Sequence, residues 1–322
     1  MRALVTGGAG YIGSHLVDAL LASYHTVTVL DNLSTGKIAN IQQHLNRPRF
    51  RFVCDTLLNA PLVDKLVAES DVVYHLAATV GVKYVVEDPL LCIVTNVRGT
   101  EMVLEACYRY WRRVVVASSS EVYGKSEKVP LSEEDDSVLG PTAVGRWSYS
   151  LSKALDEHLA FAYHRQGLPV SVVRFFNSYG PRMDPRGYGS VVARFIGQAL
   201  AGQPITVYDD GRQTRCFTYV ADTVRGTLLA ASSPQAEGKA FNIGSNRETA
   251  IVELAQMVRD LTGAAVDIVH VPYTEAYGPR FEETRRRVPD VARAQTLLGF
   301  EPQVALEDGL GRTIEWFRQN RA

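Results

Sequence analysis

A tyrosine and a lysine four residues apart are the pair in this 322-residue chain best suited to acid–base chemistry. Tyr149 and Lys153 form the pattern Y-x-x-x-K near the start of a helical stretch, so both side chains lie on one helical face. An ammonium beside a phenol stabilises the phenolate, which lets a tyrosine act as a base near neutral pH. The pattern predicts proton transfer by Tyr149, although an exposed Tyr–Lys pair without function has the same spacing.

A second group of polar side chains comes at the end of a predicted strand, Val114–Ser118. Ser119, Ser120 and Glu121 follow directly. Ligands of parallel sheets bind outside the carboxyl ends of the strands, where these hydroxyls and this carboxylate would lie. A serine cluster can also be ordinary turn chemistry. With the glycine motif described next, we interpret the cluster as part of an active site.

The N-terminal stretch Arg2–Asp31 is the element that would position a cofactor. A short apolar run is followed by Gly7, Gly10 and Gly13, then by an amphipathic segment and a second apolar run. Strand, glycine turn, helix and strand is the arrangement that places a pyrophosphate at a helix N-terminus. Asp31 closes the second run and is placed to accept from both ribose hydroxyls. A carboxylate there repels a 2′-phosphate, so NAD is favoured over NADP.

Strand-like and helical stretches alternate until Gly180, Pro181 and Arg182 break the rhythm. The predicted strands before that point are Arg2–Thr6, Thr26–Leu30, Arg51–Cys54, Val72–Leu76, Val114–Ser118 and Val170–Phe175. The alternation predicts an α/β fold of the Rossmann type, a doubly wound parallel sheet with helices on both faces. We expect residues 1–180 to form an NAD-binding domain, to which the chain returns at about 216–243. Residues 181–322 would form mainly a smaller, substrate-binding lobe.

Composition excludes several classes of function. The chain is 46% hydrophobic and 21% charged with a net charge of −1, so neither nucleic acid nor a membrane surface is an expected partner. No apolar run is long enough for a membrane span, and the N-terminus enters a strand without the pattern of a signal peptide. The four cysteines are scattered and no metal-ligand motif is present, which favours reduced thiols and a cytoplasmic protein without a metal.

Together these features resemble the nucleotide-sugar epimerase, dehydratase and decarboxylase family of extended short-chain dehydrogenases/reductases. The resemblance covers essentially the whole chain and rests on these segments: TGGAGYIG at Thr6–Gly13, DNLSTGK at Asp31–Lys37, HLAA at His75–Ala78, NVRGT at Asn96–Thr100, SSSEVYG at Ser118–Gly124, YSLSK at Tyr149–Lys153 and RFFNSYGPR at Arg174–Arg182. It implies an NAD-dependent enzyme that oxidises C4 of a nucleotide-linked sugar. The transient C4 ketone then permits dehydration, decarboxylation or epimerisation.

The resemblance also implies roles for individual residues. Tyr149 would take the C4 hydroxyl proton, Lys153 would hold the nicotinamide ribose and lower the pKa of the tyrosine, and Ser119 would bond O4. Besides Tyr149 and Lys153, the expected NAD-binding residues are Gly7, Gly10, Tyr11, Ile12, Gly13, Asp31, Asn32, Asp55, Leu76, Ala77 and Asn96. The expected substrate-binding residues are Ser120, Lys83, Asn177, Arg215, Tyr208 and Arg287. His75 is interpreted as structural.

The resemblance adds Glu121 and Arg287 to the expected catalytic residues Tyr149, Lys153 and Ser119. Glu121 discriminates among the three outcomes. Similar 4-epimerases usually carry a small or hydroxyl side chain at this position, whereas dehydratases and UDP-glucuronate decarboxylases carry Glu. Many dehydratases place Asp before it, where this chain has Ser120. Arg287 falls on the arginine that UDP-xylose synthases place near the sugar, and an arginine fork can hold a carboxylate. As alternatives, Glu121 could be a solvated turn carboxylate and the Arg285–Arg287 run a solvated basic stretch.

The preferred prediction is decarboxylation of UDP-glucuronate to UDP-xylose or its 4-keto form. Thr79–Tyr84 reads more like the epimerase branch, and DNLSTGK is shared with UDP-galactose 4-epimerases. A UDP-hexose or UDP-hexuronate 4-epimerase is therefore the alternative, followed by a 4,6-dehydratase. A non-enzymatic NAD-binding protein is disfavoured because Tyr149 and Lys153 are both present.

The family resemblance further implies a homodimer through two helices of each subunit. Here these would be Gly99–Tyr110 and the helix that carries Tyr149. The apolar residues that suit such a face are Val103, Leu104, Ala106, Tyr108 and Trp111, which would equally suit a domain core.

Overall fold

The glycine motif folds as strand, turn and helix. The computed structural model describes residues 1–80, 88–184, 190–277 and 284–320. The first strand, Arg2–Thr6, leads into the first helix, Tyr11–Ala22, which packs on the sheet with the apolar face that the sequence predicts. The buried members of that face are Leu16, Val17, Leu20 and Leu21.

Seven parallel strands form the central sheet, as predicted. In chain order they are β1 (Arg2–Thr6), β2 (Thr26–Asp31), β3 (Phe50–Cys54), β4 (Val72–His75), β5 (Arg113–Ser119), β6 (Val170–Phe175) and β11 (Lys239–Ile243). The four strands between β6 and β11 in the chain lie outside this sheet. Their spatial order is β3-β2-β1-β4-β5-β6-β11. The order reverses between β1 and β4, so a crevice opens beyond the carboxyl ends of these strands.

Helices cover both faces of the sheet, and further helices belong to the C-terminal part of the chain. In chain order the helices of the described residues are α1 (Tyr11–Ala22), α2 (Ala60–Ala68), α3 (Pro89–Ile93), α4 (Gly99–Tyr110), α5 (Trp147–Arg165), α6 (Val191–Leu200), α7 (Val220–Ser232), α8 (Ile251–Thr262), α9 (Tyr273–Tyr277), α10 (Ala292–Leu298) and α11 (Leu306–Gln319). A π-helical turn, Val94–Arg98, joins α3 to α4. Neighbouring strand residues belong to different cores: Val5 packs with α1 and α7, whereas Leu4 packs with α2 and α4. This alternation confirms a doubly wound sheet.

Three of the five apolar residues considered for a dimer face lie in the core instead, as the alternative reading allowed. Val103, Leu104 and Ala106 are buried in the core between α2, α4 and the sheet. Both faces of a parallel sheet are buried by apolar side chains of the flanking helices, and Val103, Leu104 and Ala106 of α4 bury part of one face. Exposed apolar side chains of this region lie elsewhere, at Leu90, Leu91 and Ile93 on α3, at Leu151 and Leu155 on α5, and at Trp111.

The remaining short strands pair outside the main sheet. They are β7 (Ser178–Tyr179) with β10 (Thr218–Tyr219), β8 (Ile205–Tyr208) with β13 (Ile268–Val271), and β9 (Thr214–Cys216) with β12 (Glu248–Ala250). β7, β9, β10 and β12 are only two or three residues long, too short for an apolar period to reveal them in the sequence. Across the described ranges, no helix is both long and apolar enough to cross a membrane.

Candidate active site

The glycine turn has room for backbone only. Gly7 has φ +72°, and its carbonyl accepts a hydrogen bond from the amide of Gly10 at 3.1 Å. A Cβ on Gly13 would lie 2.1 Å from Gly7 O, and one on Gly7 would lie 2.8 Å from the Cα of Ala77. The three glycines therefore bring β1, α1 and the end of β4 together, and leave the N-terminus of α1 facing the crevice.

Asp31 ends β2 beside this turn. Its carboxylate accepts from the amide of Ala9 at 2.9 Å and from that of Leu33 at 2.8 Å. Burial raises the pKa of Asp31, and these two hydrogen bonds oppose the rise. The carboxylate is thus held at the edge of the crevice by backbone on both sides, where Asn32 also lies.

The other expected cofactor residues, with one exception, line the same cleft. They are Tyr11, Ile12, Asp55, Leu76 and Ala77. Asp55 is oriented by the amide of Thr56 at 2.7 Å and by Asn59 Nδ2 at 3.0 Å.

Asn96 is the exception, because it lies behind the cleft wall. Its side-chain oxygen accepts from the amide of Thr79 at 2.8 Å, and Nδ2 donates to Ser152 Oγ at 3.1 Å. It therefore ties the segment after β4 to α5. His75 lies between Thr6 and Thr100, at 2.8 and 2.9 Å, and burial lowers its pKa to about 3. This placement agrees with a structural role.

Tyr149 and Lys153 both face the cleft from α5, one turn apart. Lys153 Nζ donates to Ala117 O and to Asp156 Oδ2, each at 3.1 Å, and both side chains of this ion pair are buried. Burial and the charge of Glu121 raise the pKa of Tyr149, and a hydrogen bond with Ser119 opposes them. The ammonium is engaged by the Asp156 carboxylate, which reduces its effect on the phenol.

Glu121 lies between two buried arginines. Arg287 Nη1 donates to its Oε1 at 2.6 Å, and Arg146 Nη1 donates to its Oε2 at 3.0 Å. Burial disfavours the ionised carboxylate, but the charges and hydrogen bonds of Arg287 and Arg146 outweigh it and bring the pKa of Glu121 to about 2. Glu121 is therefore an ionised member of a buried charge cluster and not a solvated turn residue.

A segment from the C-terminal part of the chain carries Arg287 into this cluster. Thr214 donates its amide to Arg285 O at 2.9 Å, Arg286 makes two 2.8 Å bonds to Glu248, and Leu131 donates its amide to Val288 O at 2.7 Å. Arg287 is 5% exposed, and within the described part of the chain its Nε and Nη2 have no hydrogen-bond partner. Arg287 lines the cleft, while these two groups themselves are shielded from solvent and unpaired.

The expected substrate residues that the structure describes also line this cleft. They are Ser120, Asn177, Tyr208, Arg215 and Arg287. Asn177 has φ +38°, and its buried Oδ1 has no hydrogen-bond partner among the described residues. Tyr208 lies under the guanidinium of Arg194, 4.1 Å from its ring centroid. Lys83 lies outside the described residues.

Sequence reasoning missed several residues of the site. Arg146 and Asp156 stand outside the recognised motifs, and Thr79 was noted only as the start of the Thr79–Tyr84 segment. Arg194 and Tyr273, which flank Tyr208, come from helices after the alternating region. These residues contact partners that are distant in sequence. The sequence therefore marks them, at most, as polar or aromatic residues near a recognised motif.

One continuous cleft of about 570 Å³ joins the glycine turn to Tyr149 and Arg287. The donor set fits a dinucleotide: a backbone-lined turn with no room for a Cβ at one end, Asp31 at the side, and Lys153 near the tyrosine. The rest of the cleft then lies beyond the nicotinamide end, between Ser119, Asn177 and Arg287.

Known proteins resemble this chain over nearly its full length. A decarboxylase of UDP-N-acetyl-alpha-D-glucosaminuronate from Bacillus cytotoxicus is 44% identical over 99% of this chain and 98% of its own length. UDP-glucuronic acid decarboxylase 1 of Xenopus tropicalis is 38% identical over 99% of this chain and 72% of its own. Among solved structures, UDP-glucuronic acid 4-epimerase from Bacillus cereus, in complex with UDP-glucuronic acid and NAD, superposes with a TM-score of 0.88, at 33% identity and 99% coverage of both chains.

The sequence family described as GDP-mannose 4,6 dehydratase matches residues 4–313. The match spans the glycine turn, Tyr149 and Arg287 alike, and the relatives and solved neighbours are NAD-dependent decarboxylases, epimerases and dehydratases of nucleotide sugars. This chain therefore belongs to the GDP-mannose 4,6-dehydratase family of NAD-dependent nucleotide-sugar enzymes within the extended short-chain dehydrogenases/reductases.

Proposed function

We propose that this protein decarboxylates a UDP-linked hexuronate, with UDP-glucuronate as the first substrate to test. The observation that carries the proposal is the Glu121 cluster, in which a buried arginine with unpartnered N–H groups lies beside the Tyr149 site. In this proposal residues 1–180 hold NAD, with the chain returning at about 216–243, and residues 181–322 mainly hold the nucleotide sugar.

Tyr149 is the proton acceptor for the C4 hydroxyl. To take that proton Tyr149 must first be a phenolate, which its burial disfavours, so the positive charges of Lys153 and of bound NAD+ would have to stabilise the phenolate. Ser119 bonds the same hydroxyl and would hold O4 of the sugar beside it. Bound NAD would supply the acceptor for the C4 hydride and return the hydride at the end of the cycle.

Arg287 is the group that makes decarboxylation favourable. A C6 carboxylate is β to a C4 ketone, so its C–C bond electrons can be taken up as an enolate when CO2 leaves. The guanidinium of Arg287, which lines the cleft, would bind the carboxylate and stabilise the negative charge as it moves. Glu121, with a pKa of about 2, stays ionised and holds Arg287 in place at neutral pH.

Two similar proteins point to alternatives in the reaction or in the substrate, and the product analysis described below distinguishes them. The Bacillus cereus neighbour is a 4-epimerase named for UDP-glucuronic acid, so a carboxylate-binding site is compatible with hydride return to the other face of the sugar. The 44% identical relative is named for an N-acetylated hexuronate, so UDP-N-acetylglucosaminuronate is the second substrate candidate.

The test is incubation of the protein and NAD with each UDP-hexuronate, with UDP-glucose and GDP-mannose in parallel, followed by mass spectrometry and sugar NMR. Loss of about 44 mass units from a hexuronate, the mass of CO2, supports decarboxylation. An unchanged mass with an inverted C4 supports epimerisation and rejects the proposal. Loss of about 18 mass units from UDP-glucose or GDP-mannose, the mass of water, indicates a dehydratase.

We further propose a homodimer through the exposed apolar side chains of α3 and α5. Leu151 and Leu155 lie one turn apart on α5, and Leu90 and Leu91 lie on α3, which packs against α5. Light scattering should give a dimer for the wild type and a monomer for a Leu151→Glu, Leu155→Glu double variant. A double variant that stays dimeric would place the interface elsewhere.

A cytoplasmic location is also proposed, because the four cysteines are free and three of them are buried. Cell fractionation with detection of the protein tests this location, and recovery from an oxidising compartment would reject it.

A further inference from the structure

Lys153 and Asp156 form a buried ion pair on α5, one helical turn apart. Asp156 is fully buried, and its Oδ2 accepts from Lys153 Nζ at 3.1 Å. Nζ also donates to Ala117 O near the carboxyl end of β5, at the same distance. Burial raises the pKa of Asp156, and the charge and hydrogen bond of Lys153 oppose the rise, which favours the ionised pair. The carboxylate and the carbonyl therefore fix the ammonium between α5 and β5.

The charge of Asp156 opposes that of Lys153 at the groups around the pair. At the Cys92 thiol of α3, burial raises the pKa, the charge of Lys153 lowers it and the charge of Asp156 raises it again. Burial is also the largest cause of the raised pKa of Tyr149, and the charges of Glu121 and Asp156 add to it. Asp156 therefore cancels part of the field that the ammonium exerts on its neighbours.

The other carboxylates near this pair are bonded to other partners. Glu121 accepts from the two arginines of its cluster, and Glu157 accepts from Arg174 at 2.6 and 2.9 Å. Within the described residues, Asp156 is the carboxylate that bonds Lys153. Loss of its charge would leave the Lys153 ammonium buried without that counter-charge, beside the cleft that the ammonium lines.

We propose that Asp156 is a positioning residue: it fixes the Lys153 ammonium and compensates its charge, so that the site retains the cofactor as NAD+. The oxidised nicotinamide ring carries a positive charge and the reduced ring does not. An uncompensated ammonium beside the ring would repel NAD+ and hardly affect NADH. The proposed cycle begins with NAD+, whose charge would also help to stabilise the Tyr149 phenolate. The inference rests on the proposed place of the nicotinamide beside Lys153, and not on the fate of the sugar.

The test is a competition between the two redox forms of the cofactor, without any sugar. Each protein is equilibrated near neutral pH with mixtures of NAD+ and NADH of known composition and separated from free cofactor by rapid gel filtration. The bound forms are then released with organic solvent and quantified by chromatography. The bound ratio divided by the free ratio gives the relative affinity for NAD+ and NADH. The proteins are the wild type, Asp156→Asn and the Lys153→Met, Asp156→Asn double variant. Glu105→Gln, which removes an exposed, ion-paired carboxylate of α4, is the charge control.

Asp156→Asn keeps the size of the side chain and removes its charge. The relative affinity should therefore move toward NADH by about tenfold or more, the effect that one nearby charge has on another in a poorly solvated site. The double variant should return to within about threefold of the wild type, because both charges of the pair are gone. Glu105→Gln should match the wild type.

A purely structural role would weaken the binding of both forms equally, so an unchanged relative affinity in Asp156→Asn would overturn the inference. A double variant shifted as far as Asp156→Asn would also overturn it, since the effect would then not depend on the charge of Lys153. If Asp156→Asn does not fold, as judged by circular dichroism, Asp156→Ala provides the test. It should show the same shift toward NADH, and the absence of that shift contradicts the inference.

Product analysis of the wild type keeps this test separate from the proposed function. A shift toward NADH in Asp156→Asn, with a wild type that returns UDP-glucuronate products of unchanged mass, supports the role of Asp156 and rejects decarboxylation. An unchanged relative affinity, with a wild type that releases CO2 from UDP-glucuronate, supports the function and rejects the role of Asp156.

Discussion

The glycine turn and the Glu121 cluster lie at two ends of one cleft, and they are built in different ways. The turn is local: Gly7 and Gly13 contact each other, and Asp31 bonds the amide of Ala9 at a separation of 22 residues. The cluster is assembled from distant segments, since Glu121 and Arg287 are 166 residues apart. The glycine turn depends on the local shape of the backbone. The Glu121 cluster depends on charged residues that only the tertiary fold brings together.

The two ends of the cleft are therefore sensitive to different kinds of substitution. A single methyl group in the turn collides with backbone, which cannot rotate away. In the cluster, side-chain size matters less than charge, because both guanidinium groups pair with the Glu121 carboxylate and removal of Glu121 would leave two buried positive charges without it. We therefore expect substitutions in the turn to disturb packing and NAD binding, and substitutions in the cluster to disturb the charge balance.

Tyr149→Phe should have the largest effect, a loss of turnover of about 1,000-fold, in the range typical of a removed general base. NAD and UDP-glucuronate should still bind, because the hydroxyl contributes to the proton step. Product formation by mass spectrometry and binding by calorimetry give the two readouts. Near-normal turnover in this variant would mean that another group takes the proton.

Arg287→Gln should reduce CO2 release by roughly 100- to 1,000-fold, as expected when a donor to a developing negative charge is lost. Binding of UDP itself, which has no sugar carboxylate, should hardly change. Arg286→Gln is the neighbouring control, because Arg286 is largely exposed and pairs with Glu248. Equal losses of CO2 release in the two variants would show that the segment matters and the Arg287 side chain does not.

Gly13→Ala tests the other end of the cleft. Its Cβ would lie 2.1 Å from Gly7 O, so we expect a loss of stability of about 1–3 kcal/mol, as for overpacking, together with weaker NAD binding. Gly311→Ala in α11 is the matched control, since a Cβ there meets nothing within 4 Å. That variant should gain about 0.5–1 kcal/mol, because glycine is unfavourable within a helix. Thermal unfolding with and without NAD measures the stability of each variant and its stabilisation by NAD. Unchanged stabilisation by NAD in Gly13→Ala would contradict the prediction that the turn has no room for a Cβ.

Acid pH should weaken the charge cluster and leave the turn intact. The pKa of Glu121 falls from its ordinary 4.5 to about 2, so its ion pairs contribute stability that is fully present above about pH 5 and is lost as the pH falls toward 2. The difference in unfolding temperature between the wild type and Glu121→Gln should be constant near neutrality and shrink below pH 4.5. A difference that stays constant down to pH 2.5 would show that Glu121 is not ion-paired in solution.

Much of this protein could be predicted from local pattern. Alternating apolar runs and glycines specified the strands, the order of elements and the NAD site, because strand and helix periodicity and turn geometry involve residues that are near each other in sequence. Tyr149 and Lys153 were predictable for the same reason, since a helix places residues four apart on one face.

Tertiary structure decided the features that depend on what packs against what. It buried Val103 and Leu104 in the core instead of on a dimer face, turned Asn96 away from the cleft, and paired Lys153 with Asp156. It also brought Arg146 and Arg287 to opposite sides of Glu121, which turned three scattered charges into one site. A charge acts over a few ångströms whatever its distance along the chain, so only the folded path could show which charges meet.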